Sequence, residues 1–166
     1  MGELPRRKAN RLAGYDYSQP GCYFVTICTK DRKHLFWDRF DEGVGAAFGR
    51  PPLSQKGLMV EQEIRTLSAT YSMVTVPKYV VMPNHVHLLI QVGSKEDGRP
   101  KAAPTLGSMI NQFKGAVTKH VGYPIWQKGY HDHIIRTDAD YLRVWDYMDT
   151  NPAKWREDCY YTGTEA

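Results

Sequence analysis

His85 and His87 stand one residue apart in Pro83-Asn84-His85-Val86-His87-Leu88-Leu89-Ile90, a stretch that is otherwise apolar. If the stretch is a strand, alternation sends both imidazoles to one face. An imidazole inside an apolar strand is unfavourable unless its nitrogens are satisfied, and two neighbouring lone pairs suit a shared divalent cation. Two hydrogen-bonded core histidines meet the same demand without a cation, so the pair alone leaves both readings open. Tyr147 and Asn151 lie four apart near the other end of the chain, a spacing that brings them together on one helix face. Asn151 precedes Pro152, which disfavours helical geometry, so it is expected at a frayed last turn with its amide oxygen available as a third metal ligand. His85, His87 and Asn151 would leave positions open on Mg²⁺ or Mn²⁺ for water and a phosphate oxygen.

A phenol of pKa about 10 is a weak nucleophile at neutral pH, so attack by Tyr147 on a phosphodiester needs a cation to offset the developing charge. The phosphotyrosine ester so formed keeps the energy of the broken bond, and rejoining then needs no nucleotide hydrolysis. A phosphate loop is correspondingly missing: Gly93-Ser94-Lys95-Glu96-Asp97-Gly98 has the two-glycine spacing, but Arg99-Pro100 stands where Lys-Ser/Thr is required. Taken singly, Tyr147 reads first as a packing aromatic at a helix edge and Asn151 as a helix terminator. His131-Asp132-His133 is a second His-x-His, read as a turn entering an edge strand, with His133 a structural or DNA-contacting residue in preference to a ligand.

The elements that must position these groups follow from periodicity. Tyr23 to Thr29 is β-branched and aromatic and reads as a first strand. Phe40 to Pro52, rich in glycine and proline, reads as a loop. Leu58, Val60, Ile64 and Leu67 mark an amphipathic helix capped by Ser54. Val74 to Met82 is a second strand in which Pro77 signals an edge or a bulge, and the histidine strand ends near Val92. Gly93 to Pro104 is a second loop. Thr105 caps a helix running to about His120, His133 to Arg136 forms a short strand, and Thr137-Asp138 opens a last helix through Tyr141, Val144, Trp145 and Met148. The order is βαββαβ plus a C-terminal helix: an α+β, ferredoxin-like antiparallel sheet with helices on one face and the tyrosine helix added at the end. Tyr23–Thr29 and His85–Ile90 would then be central neighbours.

The chain has 166 residues, 42% of them hydrophobic, which suits one domain over 1–166 with a basic N-terminal arm over about 1–20. The net charge of +4 is unevenly placed. Arg6, Arg7, Lys8 and Arg11 crowd the arm, and Lys30, Arg32, Lys33 and His34 follow the first strand, clusters that suit phosphate contacts, although an arm of this kind is also an ordinary solvated tail. Gln112 and Lys114 on the second helix add further polar positions. Cys22, Cys28 and Cys159 are odd in number and lack CxxC spacing, which excludes a disulfide framework and a thiolate knuckle. No apolar run approaches bilayer length and the start carries no apolar leader, so the expectation is a soluble cytoplasmic protein without a membrane partner.

Taken together the motifs resemble a known family, the single-tyrosine HUH transposases, and within it the REP-associated tyrosine transposases of bacteria. His85-Val86-His87, preceded by Pro83-Asn84, matches the HUH motif, in which U is apolar; Tyr147-Met148-Asp149-Thr150-Asn151-Pro152 matches the family's Tyr-x-x-x-Asn/Gln helix. Trp126-Gln127-Lys128-Gly129-Tyr130-His131-Asp132-His133-Ile134-Ile135-Arg136 resembles its Trp-Gln segment, and Gly14-Tyr15-Asp16-Tyr17 with Phe24 to Thr29 fits its opening. The resemblance implies cleavage and rejoining of single-stranded DNA, usually beside an imperfect hairpin, with Tyr147 as nucleophile, a 5′-phosphotyrosine intermediate, a free 3′-hydroxyl, and Asn151 completing the metal site. It implies hairpin or single-stranded DNA as partner; the charge clusters then suggest that Arg6, Arg7, Lys8 and Arg11 grip the hairpin backbone and that Lys30, Arg32 and Lys33 add non-specific phosphate contacts. Insertion-sequence members are homodimers that exchange the tyrosine helix, whereas REP-associated relatives work as monomers, and this sequence is compatible with either. Two other classes remain: a non-catalytic nucleic-acid module displaying Tyr23 and Phe24, and a metal-dependent nuclease that uses water while Tyr147 packs.

Overall fold

The computed structural model describes residues 11–38, 52–94 and 104–163; Arg6, Arg7 and Lys8, and most of the two glycine-rich stretches, lie outside them. The described elements are β1 (Gly21–Cys28), α1 (Gln55–Thr70), β2 (Val74–Val81), β3 (His85–Val92), α2 (Leu106–Val121), β4 (His131–Ile135) and α3 (Asp138–Thr150). The strands form one sheet in the order β2-β3-β1-β4 with every neighbour antiparallel. This is the ferredoxin-like α+β arrangement, and β1 and β3 are its two central strands.

Each helix begins where a hydroxyl satisfies an orphan amide. The Ser54 side chain accepts from Gly57 N–H, Thr105 from Ser108 N–H and Thr137 from Asp140 N–H. Gly57 is fixed by packing, because a Cβ there would run into the Phe36 carbonyl. At the other end of α2, Gly122 takes φ +92°, the left-handed cap that glycine adopts freely. Pro77 meets both of its expected roles: β2 lies at the sheet edge, and its register against β3 shifts between Thr75 and Lys78.

Alternation divides the sheet into two faces. Tyr23, Val25 and Ile27 of β1 with Val86, Leu88 and Ile90 of β3 pack against Val60, Ile64 and Leu67 of α1 and Met109, Ile110, Phe113 and Val117 of α2. The intervening residues point the other way, where Leu89 packs with Val144 and Met148 of α3, and Val80 and Met82 pack with Trp155 of the C-terminal turn. Two boundaries differ from expectation. β4 starts at His131, because Thr26↔His131 and Val25↔Asp132 pair with β1, so His131-Asp132-His133 is strand and not a turn. Asn151 is right-handed helical at φ −57°, ψ −45°, and its N–H donates to the Tyr147 carbonyl at 2.9 Å, so α3 does not fray before Pro152. Burial of its side chain, 3% exposed, holds it there against the pre-proline preference. No described helix is long and apolar enough to cross a membrane.

Candidate active site

β3 delivers His85 and His87 to the α3 face, fully enclosed, and their Nε2 atoms converge to 3.0 Å. Their other nitrogens are held from behind. The Asn84 amide donates through Nδ2 to the Tyr160 carbonyl at 2.9 Å and the Arg32 carbonyl at 3.3 Å, which turns its Oδ1 toward His85 Nδ1 at 2.8 Å. An amide oxygen only accepts, so His85 Nδ1 carries the proton and Nε2 presents a bare lone pair. Thr26 Oγ1, paired across the sheet with His87, lies 2.8 Å from His87 Nδ1. Burial holds both imidazoles neutral, pulling His85 down to about 3 with help from Arg32 and His87 well below its ordinary value, so their lone pairs stay available at neutral pH.

The third group is Asp158, which no spacing in the sequence singles out. It sits beyond the 3-10 turn Trp155–Glu157 that follows α3. Its side chain is enclosed, its Oδ2 is 3.8 Å from His85 Nε2, and its Oδ1 accepts from Tyr160 N–H at 2.7 Å. Among the described residues, His85, His87 and Asp158 bring one ligand atom each within 4.8 Å of one another. Asn151 is adjacent: its Nδ2 donates to Asp158 Oδ2, while its Oδ1 is buried without a hydrogen-bond partner.

This donor set fits a divalent cation. Two ligand atoms about 2.1 Å from one ion and at right angles lie roughly 3.0 Å apart, which is the separation of the two Nε2 atoms. The His85 lone pair, the Asp158 carboxylate and the orphaned Asn151 oxygen together form an acceptor-rich enclosure suited to a positive centre.

Tyr147, one turn before Asn151 on α3, brings its hydroxyl to 3.4 Å from His87 Nε2 and 3.5 Å from Asp158 Oδ2. Its ring stands edge-on to Phe24 with centroids 6.1 Å apart, and Tyr147 as a residue is 38% exposed. Burial and the Asp158 charge push its pKa upward, and the phenol is protonated at neutral pH. Phenol and imidazoles meet within this one chain.

The predicted basic residues are dispersed. Lys30 and Lys33 are exposed beside the strand end. Arg32 instead donates to the Cys159 carbonyl at 3.4 Å and covers the Tyr160 ring at 5.1 Å, pinning the C-terminal turn over the histidines. Arg11 and His133 lie apart from the histidines, along the outer edge of β4. Tyr160 was likewise not legible: its ring centroid is 4.6 Å from that of His85.

No protein-family model matches the chain. A Haemophilus influenzae protein described as uncharacterized is 29% identical over 177 residues, covering 95% of this chain and 94% of that one. A second protein of that organism, named "Putative REP-associated tyrosine transposase", is 24% identical over 147 residues, covering 84% of this chain and 74% of its own. Among solved structures, a REP-associated tyrosine transposase bound to a REP hairpin superposes with a TM-score of 0.61 at 22% identity, over 93% of this chain and 74% of that one. In sequence and in fold, this chain is similar to the REP-associated tyrosine transposases.

Proposed function

We propose that this protein is a transposase that cuts and rejoins single-stranded DNA beside hairpins through a covalent phosphotyrosine, with a divalent cation held by His85, His87 and Asp158 and with Asn151 Oδ1 beside them. The observation that carries the reading is the position of the Tyr147 hydroxyl, 3.4 Å from a buried imidazole nitrogen and 3.5 Å from a buried carboxylate, on a residue that is itself partly exposed. The similarity to transposases, one of them solved with a REP hairpin, supports DNA as the substrate.

A cation bound there supplies Lewis-acid polarisation of the phosphodiester and offsets the charge that develops in the transition state. The protein's own groups do the rest. Tyr147 Oη attacks phosphorus; a tyrosyl O–P bond forms, the P–O3′ bond breaks, and the phenolic proton balances the 3′ alkoxide as it leaves as a hydroxyl. Asn84 and Thr26 hold the imidazole rings in orientation from behind. Phe24, stacked on His87 at 5.0 Å and edge-on to Tyr147, fixes the distance between nucleophile and ligands. Rejoining runs the same steps backwards with another 3′-hydroxyl, and one chain is sufficient.

The test is covalent trapping. With a hairpin oligonucleotide and Mg²⁺ or Mn²⁺, the protein is expected to form an adduct that survives denaturant, and Tyr147→Phe to abolish it while DNA affinity stays within about twofold. Cleavage that persists in Tyr147→Phe would identify a water-using nuclease, and the nucleophile assignment would fall.

A further inference from the structure

Away from the histidines, the outer edge of β4 opens into a groove of about 780 Å³, walled by the segment from Arg11 to Tyr17, by β4 itself and by the start of α3. This volume is in the range of small-ligand sites. Its chemistry is divided. Arg136 and Arg143 stand on the α3 side, where Asp140 already holds both Arg143 and His133, the latter at 2.7 Å. On the other side Arg11 is fixed against Gly107 and over the Tyr130 ring at 5.1 Å. Between them lies Asp132, a half-buried carboxylate that the Tyr17 hydroxyl engages and whose Oδ1 has no hydrogen-bond partner among the described residues. Acceptor capacity is therefore left on this carboxylate beyond the Tyr17 hydroxyl, and no described cation forms a hydrogen bond to its Oδ1. Burial pushes the Asp132 carboxyl upward, Tyr17 and Arg11 pulling it back. Among the described residues β4 pairs with β1 on one side only, so the groove borders its other edge, two strand positions from β3 and roughly 10 Å from the histidines.

We propose that this groove is a specificity site of the DNA strand, in which one unpaired base donates an amino hydrogen to Asp132 while its phosphates lie along Arg136 and Arg143. The site rests on the proposed function for the nature of its ligand. Cytosine offers the needed amino group, whereas thymine places a carbonyl oxygen in the same position, against the carboxylate. The arginines contribute affinity without sequence preference.

The discriminating probes are oligo(dC) and oligo(dT) of equal length at low salt and mildly alkaline pH, read by fluorescence anisotropy. The wild-type protein is expected to prefer oligo(dC) by about fivefold. Asp132→Asn, which keeps the shape, removes the charge and turns one of the two acceptor oxygens into a donor, should erase or invert that preference; a gain for oligo(dT) is not something a folding defect produces. Arg136→Ala with Arg143→Ala should weaken both oligomers by the same factor. Equal affinities in the wild type, or an unchanged preference in Asp132→Asn, would overturn the groove assignment, even if the Tyr147 adduct forms. Loss of the adduct with the preference intact would instead leave the groove and remove the transposase reading.

Discussion

Against α1 and α2 the sheet turns Tyr23, Val25, Ile27, Val86, Leu88 and Ile90, all buried and apolar; the residues that alternate with them face α3 and the C-terminal turn and include Thr26, His85 and His87, equally buried but polar. The first face is closed: side chains from two helices and two central strands fill it, and each buried Leu, Ile, Val or Phe contributes about 1.5–3 kcal/mol. The second face keeps an unmet demand, the buried Asn151 oxygen, beside the paired imidazoles. One face supplies stability and the other holds the chemistry, and successive residues of β3 belong to opposite sides of that division.

The largest effects should separate the two faces. His87→Ala is expected to lower DNA cleavage by about 10³-fold or more while leaving a cooperative melt; a collapse of the melt would mean that the polar face also carries the fold. Phe113→Ala, on the closed face, should destabilise by about 3–5 kcal/mol in urea titration. Adduct formation per folded molecule should be unchanged there, and a specific loss of activity would show that the faces are coupled. Asn84→Ala frees the His85 ring without touching a ligand atom, and is expected to weaken Mn²⁺ affinity by about 10–100-fold, measured by calorimetry. Unaltered affinity would return His85 to the role of a hydrogen-bonded core residue. The smallest effect belongs to the Thr137 cap, whose removal in Thr137→Ala should cost about 1 kcal/mol and appear first as faster amide exchange in α3.

Much of this was legible because local rules act through neighbours in sequence. Ser54, Thr105 and Thr137 each precede an apolar periodicity, and all three cap as expected. Pro77 marked an edge and a bulge. The His85/His87 alternation put both rings on one face whatever the rest of the fold did. The start of β4 was less legible, since His131-Asp132-His133 has no apolar pattern and owes its strand geometry to pairing with Thr26 and Val25. Asn151 followed its local rule less well, because burial outweighed the pre-proline preference.

By itself the sequence determined the alternation of the central strands, the helix starts, and the four-residue interval that keeps Tyr147 and Asn151 together, since each depends on backbone geometry repeated over a few residues. Only the tertiary structure decided that Asp158 faces His85, that Arg32 and Tyr160 close the site, and that Tyr147 reaches the histidines of its own chain. Those contacts join segments distant in sequence, and their geometry comes from how Trp155 and Tyr160 pack onto the sheet, which no local period encodes.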